Sequence, residues 1–198
     1  MIFNSKVKAQ IVNIVQSLNL YIRYPDSKLG KFVFCLLLSW FYALCSQIII
    51  PLPFNFVPIS LQPAPVWLCS LWLGWPAVYA FLICLIQTAF GAPFFSGFAG
   101  GIAKLAGPTG GYIFGWALGM IFLAATRGYK KNNSFITFSK LLVAGFLQYL
   151  VGLFQLQFFV PNLEFMSLLS VGLFPFLPGQ FLKVFFISTL ISKFKVPR

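Results

Sequence analysis

The chain contains no histidine, and its 198 residues hold two carboxylates, Asp26 and Glu164. The missing imidazole removes the commonest general base and metal ligand. Two acids leave little for the carboxylate pairs of hydrolases or the oxygen cages of hard cations. No G-x-x-x-x-G-K-[ST] segment is present, so the chain has no phosphate loop with which to hydrolyse ATP by itself. The four cysteines, Cys35, Cys45, Cys69 and Cys84, show no C-x-x-C spacing and sit in apolar runs, where they read as small core residues. Charge of either sign is scarce. Lys, Arg, Asp and Glu make up 8% of the chain, against about 25% in a soluble domain, which excludes an ordinary water-soluble globule.

What remains is apolar. Hydrophobic residues make up 60% of the chain, and the 72 residues between Lys31 and Lys104 carry no charge. One bilayer crossing needs about 20 mostly apolar residues, so this stretch alone has room for three. The composition predicts an all-α membrane protein. The net charge of +12 then reflects the bias of Lys and Arg toward cytoplasmic loops rather than an affinity for nucleic acid.

Three regions follow: a cytoplasmic N-terminal extension over 1–31, a six-span membrane domain over 32–192, and a basic tail over 193–198. In the extension Val7, Ile11, Ile14, Val15, Leu18 and Ile22 recur at helical spacing between polar residues. That pattern suits either an amphipathic helix on the membrane surface or an extension with no specific role. No continuous apolar run resembling a secretory signal forms there. Spans are expected at about 32–52, 61–73, 77–90, 109–125, 138–160 and 178–191. A Gly-rich external loop should join the third to the fourth, and a short outer helix should lie within 163–174. Pro178 suits the first turn of the last span. With six crossings, twelve basic residues fall on one side: Lys6, Lys8, Arg23, Lys28, Lys31, Arg127, Lys130, Lys131, Lys140, Lys193, Lys195 and Arg198. Both termini are therefore expected in the cytoplasm.

Four features could carry chemistry. Lys183 is a cation inside a span, and an ammonium there needs a partner or a cavity unless it snorkels to the interface. The segment from Gly100 to Gly111 holds five glycines in twelve residues and is either a backbone-lined ligand site or a flexible connector. Ser60 and Gln62 bring a hydroxyl and an amide to the outer entry of the second span, where Ser60 could equally cap the helix. Cys35, Ser39 and Ala43, spaced by four, form a stripe of small residues on the first span. Such a stripe serves a second membrane helix or packing within the bundle. Trp67, Trp72, Trp75 and Trp116 are interfacial anchors or pocket walls.

Three motifs stand out: Gly107-Pro108-Thr109-Gly110-Gly111-Tyr112 preceded by Phe98-Ala99-Gly100-Gly101, then Val57-Pro58-Ile59-Ser60-Leu61-Gln62, and Pro178-Gly179-Gln180-Phe181-Leu182-Lys183. Over roughly 32–192 they resemble the motifs of BioY, the family of biotin-specific substrate-binding subunits of energy-coupling factor (ECF) transporters, the second being similar to its V-P-I-T-L-Q and the third to its P-G-D-x-x-K. The resemblance implies an S-component-like bundle in the bacterial cytoplasmic membrane that captures biotin from outside, without catalysis or cofactor. It also implies docking onto a transmembrane coupling subunit driven by two ABC ATPase subunits, and tilting of the whole binding subunit to release ligand inward. Gln62, Gly101, Pro108, Thr109, Gly110, Tyr112, Gln180 and Lys183 are the implied substrate-binding residues. Cys35, Ser39 and Ala43 are the implied contact with the coupling subunit. The departure is Gln180, where the family has Asp: an amide still hydrogen-bonds a ureido ring but brings no negative charge beside Lys183. Lys104 has no counterpart in the motif and is not carried over.

The same subunit type for another small vitamin is the neighbouring reading, which Gln180 favours. A membrane-embedded acyl or prenyl transferase and a membrane scaffold subunit are the other classes. The first is opposed by the lack of His and by the two acids lying outside the spans. The topology is checked by single-cysteine labelling on a Cys-free background: residue 131 should react with an impermeant thiol reagent only after the membrane is permeabilised, and labelling from outside would contradict it.

Overall fold

The computed structural model describes residues 24–50, 59–60, 62–127 and 133–193. The amphipathic pattern of 7–22, Val57, Pro58, Leu61 and the basic residues Lys6, Lys8, Arg23, Lys130, Lys131, Lys195 and Arg198 lie outside them. The helices in chain order are α1 (Lys28–Ser46), α2 (Pro63–Leu73), α3 (Trp75–Ala89), α4 (Ile102–Ala106), α5 (Gly110–Ala125), α6 (Ser134–Phe159), α7 (Phe165–Gly172) and α8 (Leu177–Lys193). A 3₁₀ turn, Phe174–Phe176, joins the last two. Among the described residues a two-residue antiparallel ladder joins β1 (Ile49–Ile50) to β2 (Ile59–Ser60), pairing Ile49 with Ser60 and Ile50 with Ile59.

The boundaries follow local chemistry. The first span was expected to reach residue 52, but α1 ends at Ser46, ahead of a segment in which Pro51 disfavours helix for its predecessor. Ser60 lies in β2, so it is not the cap of α2; Gln62 holds that position, and Pro63 opens the helix where its missing N–H costs nothing. Gly74, at φ 72°, breaks α2 from α3. Arg127 Nη1 donates to the carbonyl of Leu73 at 2.7 Å, covering that C-terminus. At the start of α6 the Asn133 side chain accepts from the N–H of Phe135 at 3.1 Å. The short helix expected within 163–174 falls at Phe165–Gly172. The Gly-rich loop contains α4, a single turn and a half that composition did not announce.

By length and composition, Lys28–Ser46, Ser134–Phe159 and the run Phe165–Ile191 are long and apolar enough to cross a membrane. The apolar helices α2, α3 and α5 are shorter. An 11-residue helix such as α2 spans only about 17 Å at 1.5 Å per residue, against a hydrocarbon core of about 30 Å. The outer surface of the bundle is far more apolar than that of a soluble protein, and some polar side chains lie within its apolar core. Leu37, Leu44, Phe146, Phe154, Phe185 and Phe186 are exposed, whereas Ser39, Ser70, Thr88, Gln62, Gln148 and Gln180 are buried. Buried hydroxyls are satisfied by backbone: Ser70 donates to the Met120 carbonyl at 2.7 Å and Thr88 to that of Cys84 at 2.8 Å.

The contact that organises the core is α5 against α6. Gly111, Gly115 and Gly119 recur every fourth residue on one face of α5. A Cβ on Gly115 would come within 2.5 Å of Gln148 Cα, and one on Gly111 within 2.5 Å of the Val151 carbonyl oxygen. Only a glycine face lets the two backbones run this close. Trp67, fully buried, packs beneath against Gly119 and Gly145.

The small-residue stripe on α1 is internal. Cys35, Ser39 and Ala43 are 4%, 0% and 9% exposed. Cys35 Sγ lies 3.6 Å from the Pro76 carbonyl, and Ser39 Oγ accepts from Gln87 Nε2 at 2.9 Å. The three residues that the resemblance gives to a coupling subunit are thus buried within this chain, Cys35 and Ser39 against Pro76 and Gln87 of α3. Gly115→Ala and Ser39→Leu should therefore each lower the melting temperature of the purified subunit in detergent, as overpacking costs about 1–3 kcal/mol. Leu118→Ala, on the exposed side of α5, should leave it unchanged. Wild-type melting of Gly115→Ala would contradict the close contact.

Candidate functional site

The loop after α3 is built by backbone and held by side chains from elsewhere. Gly101 sits at φ 82°, a conformation open mainly to glycine, and its N–H donates to the Thr88 carbonyl at 2.7 Å. Phe98 also has positive φ, 54°. Gln47, at the end of α1, accepts from the Phe98 N–H at 3.0 Å and donates to the Phe95 carbonyl at 3.1 Å, which fixes that turn. On the other side Gln155 Nε2 of α6 reaches the carbonyls of Leu105, Ala106 and Gly107, at 3.2, 3.1 and 2.7 Å. Tyr112, packed over Gly152, donates from its hydroxyl to the Gly172 carbonyl at 2.8 Å. The loop, α5, α6 and the end of α7 are thereby tied around one space.

That space is a cavity of about 530 Å³, within the usual range for small-molecule sites. Six of the eight expected binding residues line it: Gln62, Pro108, Thr109, Tyr112, Gln180 and Lys183. Gly101 and Gly110 do not. Gly101 shapes the loop, and Gly110 is buried against the Leu105 carbonyl, where any Cβ would collide. Their glycine identity serves chain geometry.

The structure adds residues that the motifs did not single out. Lys104, Gln148, Tyr149, Phe95, Trp116 and Phe176 also line the cavity. Phe95 and Trp116 lie 6.3 Å apart between ring centroids, and Tyr112 and Tyr149 meet edge to face at 6.3 Å. The walls are thus aromatic, with amides and cations between them. A signal for Gln148 existed: it and Gln155 are amides seven residues apart in an apolar helix, hence on one face. Lys104 stands in the uncharged surroundings of the loop helix.

Electrostatically the cavity is one-sided. Two ammonium groups line it, those of Lys104 and Lys183, and no carboxylate does. Partial burial holds the Lys104 ammonium below the usual lysine range. Among the described residues, three buried polar atoms on the walls, Trp116 Nε1, Gln148 Oε1 and Gln180 Nε2, meet no hydrogen-bond partner. Among the described residues no cluster of three or more His, Cys, Asp or Glu could hold a metal ion.

Comparison with known proteins bears on the same region. The family model described as "BioY family" matches residues 17–197. A "Biotin transporter BioY" of Thermotoga maritima is 32% identical over 148 residues, covering 74% of this chain and 85% of the relative. A "Probable biotin transporter BioY" of Pyrococcus horikoshii is 36% identical over 128 residues, 64% of this chain and 74% of that protein. In structure the chain is similar to the biotin S-component of an ECF-type ABC transporter solved at 2.1 Å, with a TM-score of 0.69 and 23% identity, covering 84% of this chain and 90% of that one. The fold is that of an S-component, and with nearly the whole sequence matched, the chain belongs to the BioY family.

Proposed function

We propose that this chain captures biotin as the membrane substrate-binding subunit of an ECF-type importer. The observation that carries the reading is the cavity: aromatic walls, buried amides, two ammonium groups and no acid. Biotin has a bicyclic apolar body, a ureido ring that exchanges hydrogen bonds with amides, and a carboxylate that needs a cation. Relatives named as biotin transporters support the same ligand. Gln180, where the resemblance has Asp, is the feature that favours another small vitamin in the same kind of site.

In this reading the chain crosses the cytoplasmic membrane of a bacterium six times, with both ends inside and the Gly-rich loop outside. Transport is its role, with no covalent step. A transmembrane coupling subunit and two ABC ATPase subunits supply the energy that this chain, lacking a phosphate loop, does not.

Lys183 is assigned to the carboxylate. A buried ammonium gains most when an anion enters a cavity that offers no acid. Removing one partner of a buried charged hydrogen bond costs about 2–5 kcal/mol, or roughly 30- to 5000-fold in affinity. Lys183→Met should weaken biotin by that order and weaken a carboxyl-amidated analogue far less, read by isothermal titration of both ligands against both proteins. Equal weakening of the two would remove Lys183 from the carboxylate and give it to the ureido end or to the fold.

A further inference from the structure

The three unpartnered polar atoms of the cavity belong to side chains that are at least nine-tenths buried: Trp116 is 8% exposed, Gln148 6% and Gln180 5%. Burying a polar atom without a partner is unfavourable by about 1–3 kcal/mol, so three in one cavity call for an occupant that completes them. Their kinds are specific. Trp116 Nε1 and Gln180 Nε2 are donors, and Gln148 Oε1 is an acceptor. A carbonyl, whose two lone pairs can take two donors, with an N–H beside it completes all three. A carboxylate lacks the N–H.

The positions of these groups are imposed by packing. Gln148 is held where Gly115 brings the α5 backbone onto its own Cα, carbonyl carbon and carbonyl oxygen. One turn earlier on α6, Gly145 leaves the space that the Gln180 amide of α8 fills; a Cβ there would lie 2.5 Å from Gln180 Nε2. Two amides from different helices are thus held on adjacent turns of α6, with the Trp116 indole from α5 on the same cavity.

Resting on the biotin reading, we propose that Gln148 is a specificity-determining contact that accepts from a ureido N–H, while Gln180 and Trp116 donate to the ureido carbonyl. The ureido ring is then recognised by neutral groups, and Gln148 supplies an acceptor where Gln180 has replaced the acid. A cyclic guanidine in place of the urea should be refused, because its C=N–H group, protonated at neutral pH, presents N–H to two protein donors.

Biotin and 2-iminobiotin are the probes, titrated calorimetrically against the full chain in detergent as wild type, Gln148→Met and Gln148→Glu. Ligand-free melting temperatures are measured alongside. Wild type should prefer biotin. Gln148→Met should lose about 10- to 100-fold in biotin affinity with unaltered ligand-free melting. Gln148→Glu, whose carboxylate suits a cationic guanidinium, should shift the preference toward 2-iminobiotin by about 10-fold or more. Biotin binding within about twofold of wild type by Gln148→Met, a change of about 0.4 kcal/mol or less at 1.4 kcal/mol per decade, would overturn the contact. If Gln148→Met melts early, the Gln148→Glu preference decides, and an unshifted ratio overturns the proposal. A wild-type protein that binds no biotin overturns the proposed function and this inference together, whereas binding by wild type with no response at Gln148 overturns this inference alone.

Discussion

The rest of the structure depends on the approach of α5 to α6 across Gly111, Gly115 and Gly119. In lipid there is little hydrophobic drive between helices, so association comes from close packing and hydrogen bonds. Three glycines a turn apart supply the packing. They also fix the register of α6, from which Gln148 faces the cavity and Gln155 gathers three carbonyls of the Gly-rich loop. Tyr112, one residue beyond Gly111, leans over Gly152 and reaches the Gly172 carbonyl. One glycine face therefore positions the loop, the end of α7 and the polar wall together.

The cavity reverses the logic of its surroundings. Elsewhere several buried hydroxyls find backbone partners, as Ser70 does with Met120 and Thr88 with Cys84. Around the cavity, indole and amide groups are left without partners and the charges are of one sign. Such groups are unfavourable in the empty protein, and the deficit becomes affinity when a ligand of matching chemistry enters. Biotin has the matching parts at its two ends, a neutral urea and an anionic carboxylate. The aromatic walls suit the apolar body between them.

How much of this was legible in the sequence depends on the kind of signal. The 72 uncharged residues announced a membrane protein because hydropathy is additive along a chain. Gln62, Pro108, Thr109, Tyr112, Gln180 and Lys183 were found by motif resemblance, and the structure gathers them on one cavity. Glycines were harder. Gly101 and Gly110 looked like ligand contacts, but a positive φ and a crowded carbonyl account for them. The Gly111, Gly115 and Gly119 face went unread because the same residues lie partly inside the Gly-rich motif. The stripe Cys35, Ser39 and Ala43 was visible, but spacing alone cannot say what covers it; in this chain Pro76 and Gln87 of α3 lie against Cys35 and Ser39. Gln148 was hidden by distance: its partners in the cavity lie 32 residues away on either side, at Trp116 and Gln180, and only the fold joins them.

The central claim is that this cavity holds biotin. Native mass spectrometry of the protein purified from cells grown with the vitamin, released from detergent in the gas phase, tests it most directly. The account predicts one bound species with the mass of biotin, lost on activation and restored by adding biotin to the emptied protein. A bound species of a different mass, or an emptied protein that takes up no biotin at excess, would contradict it.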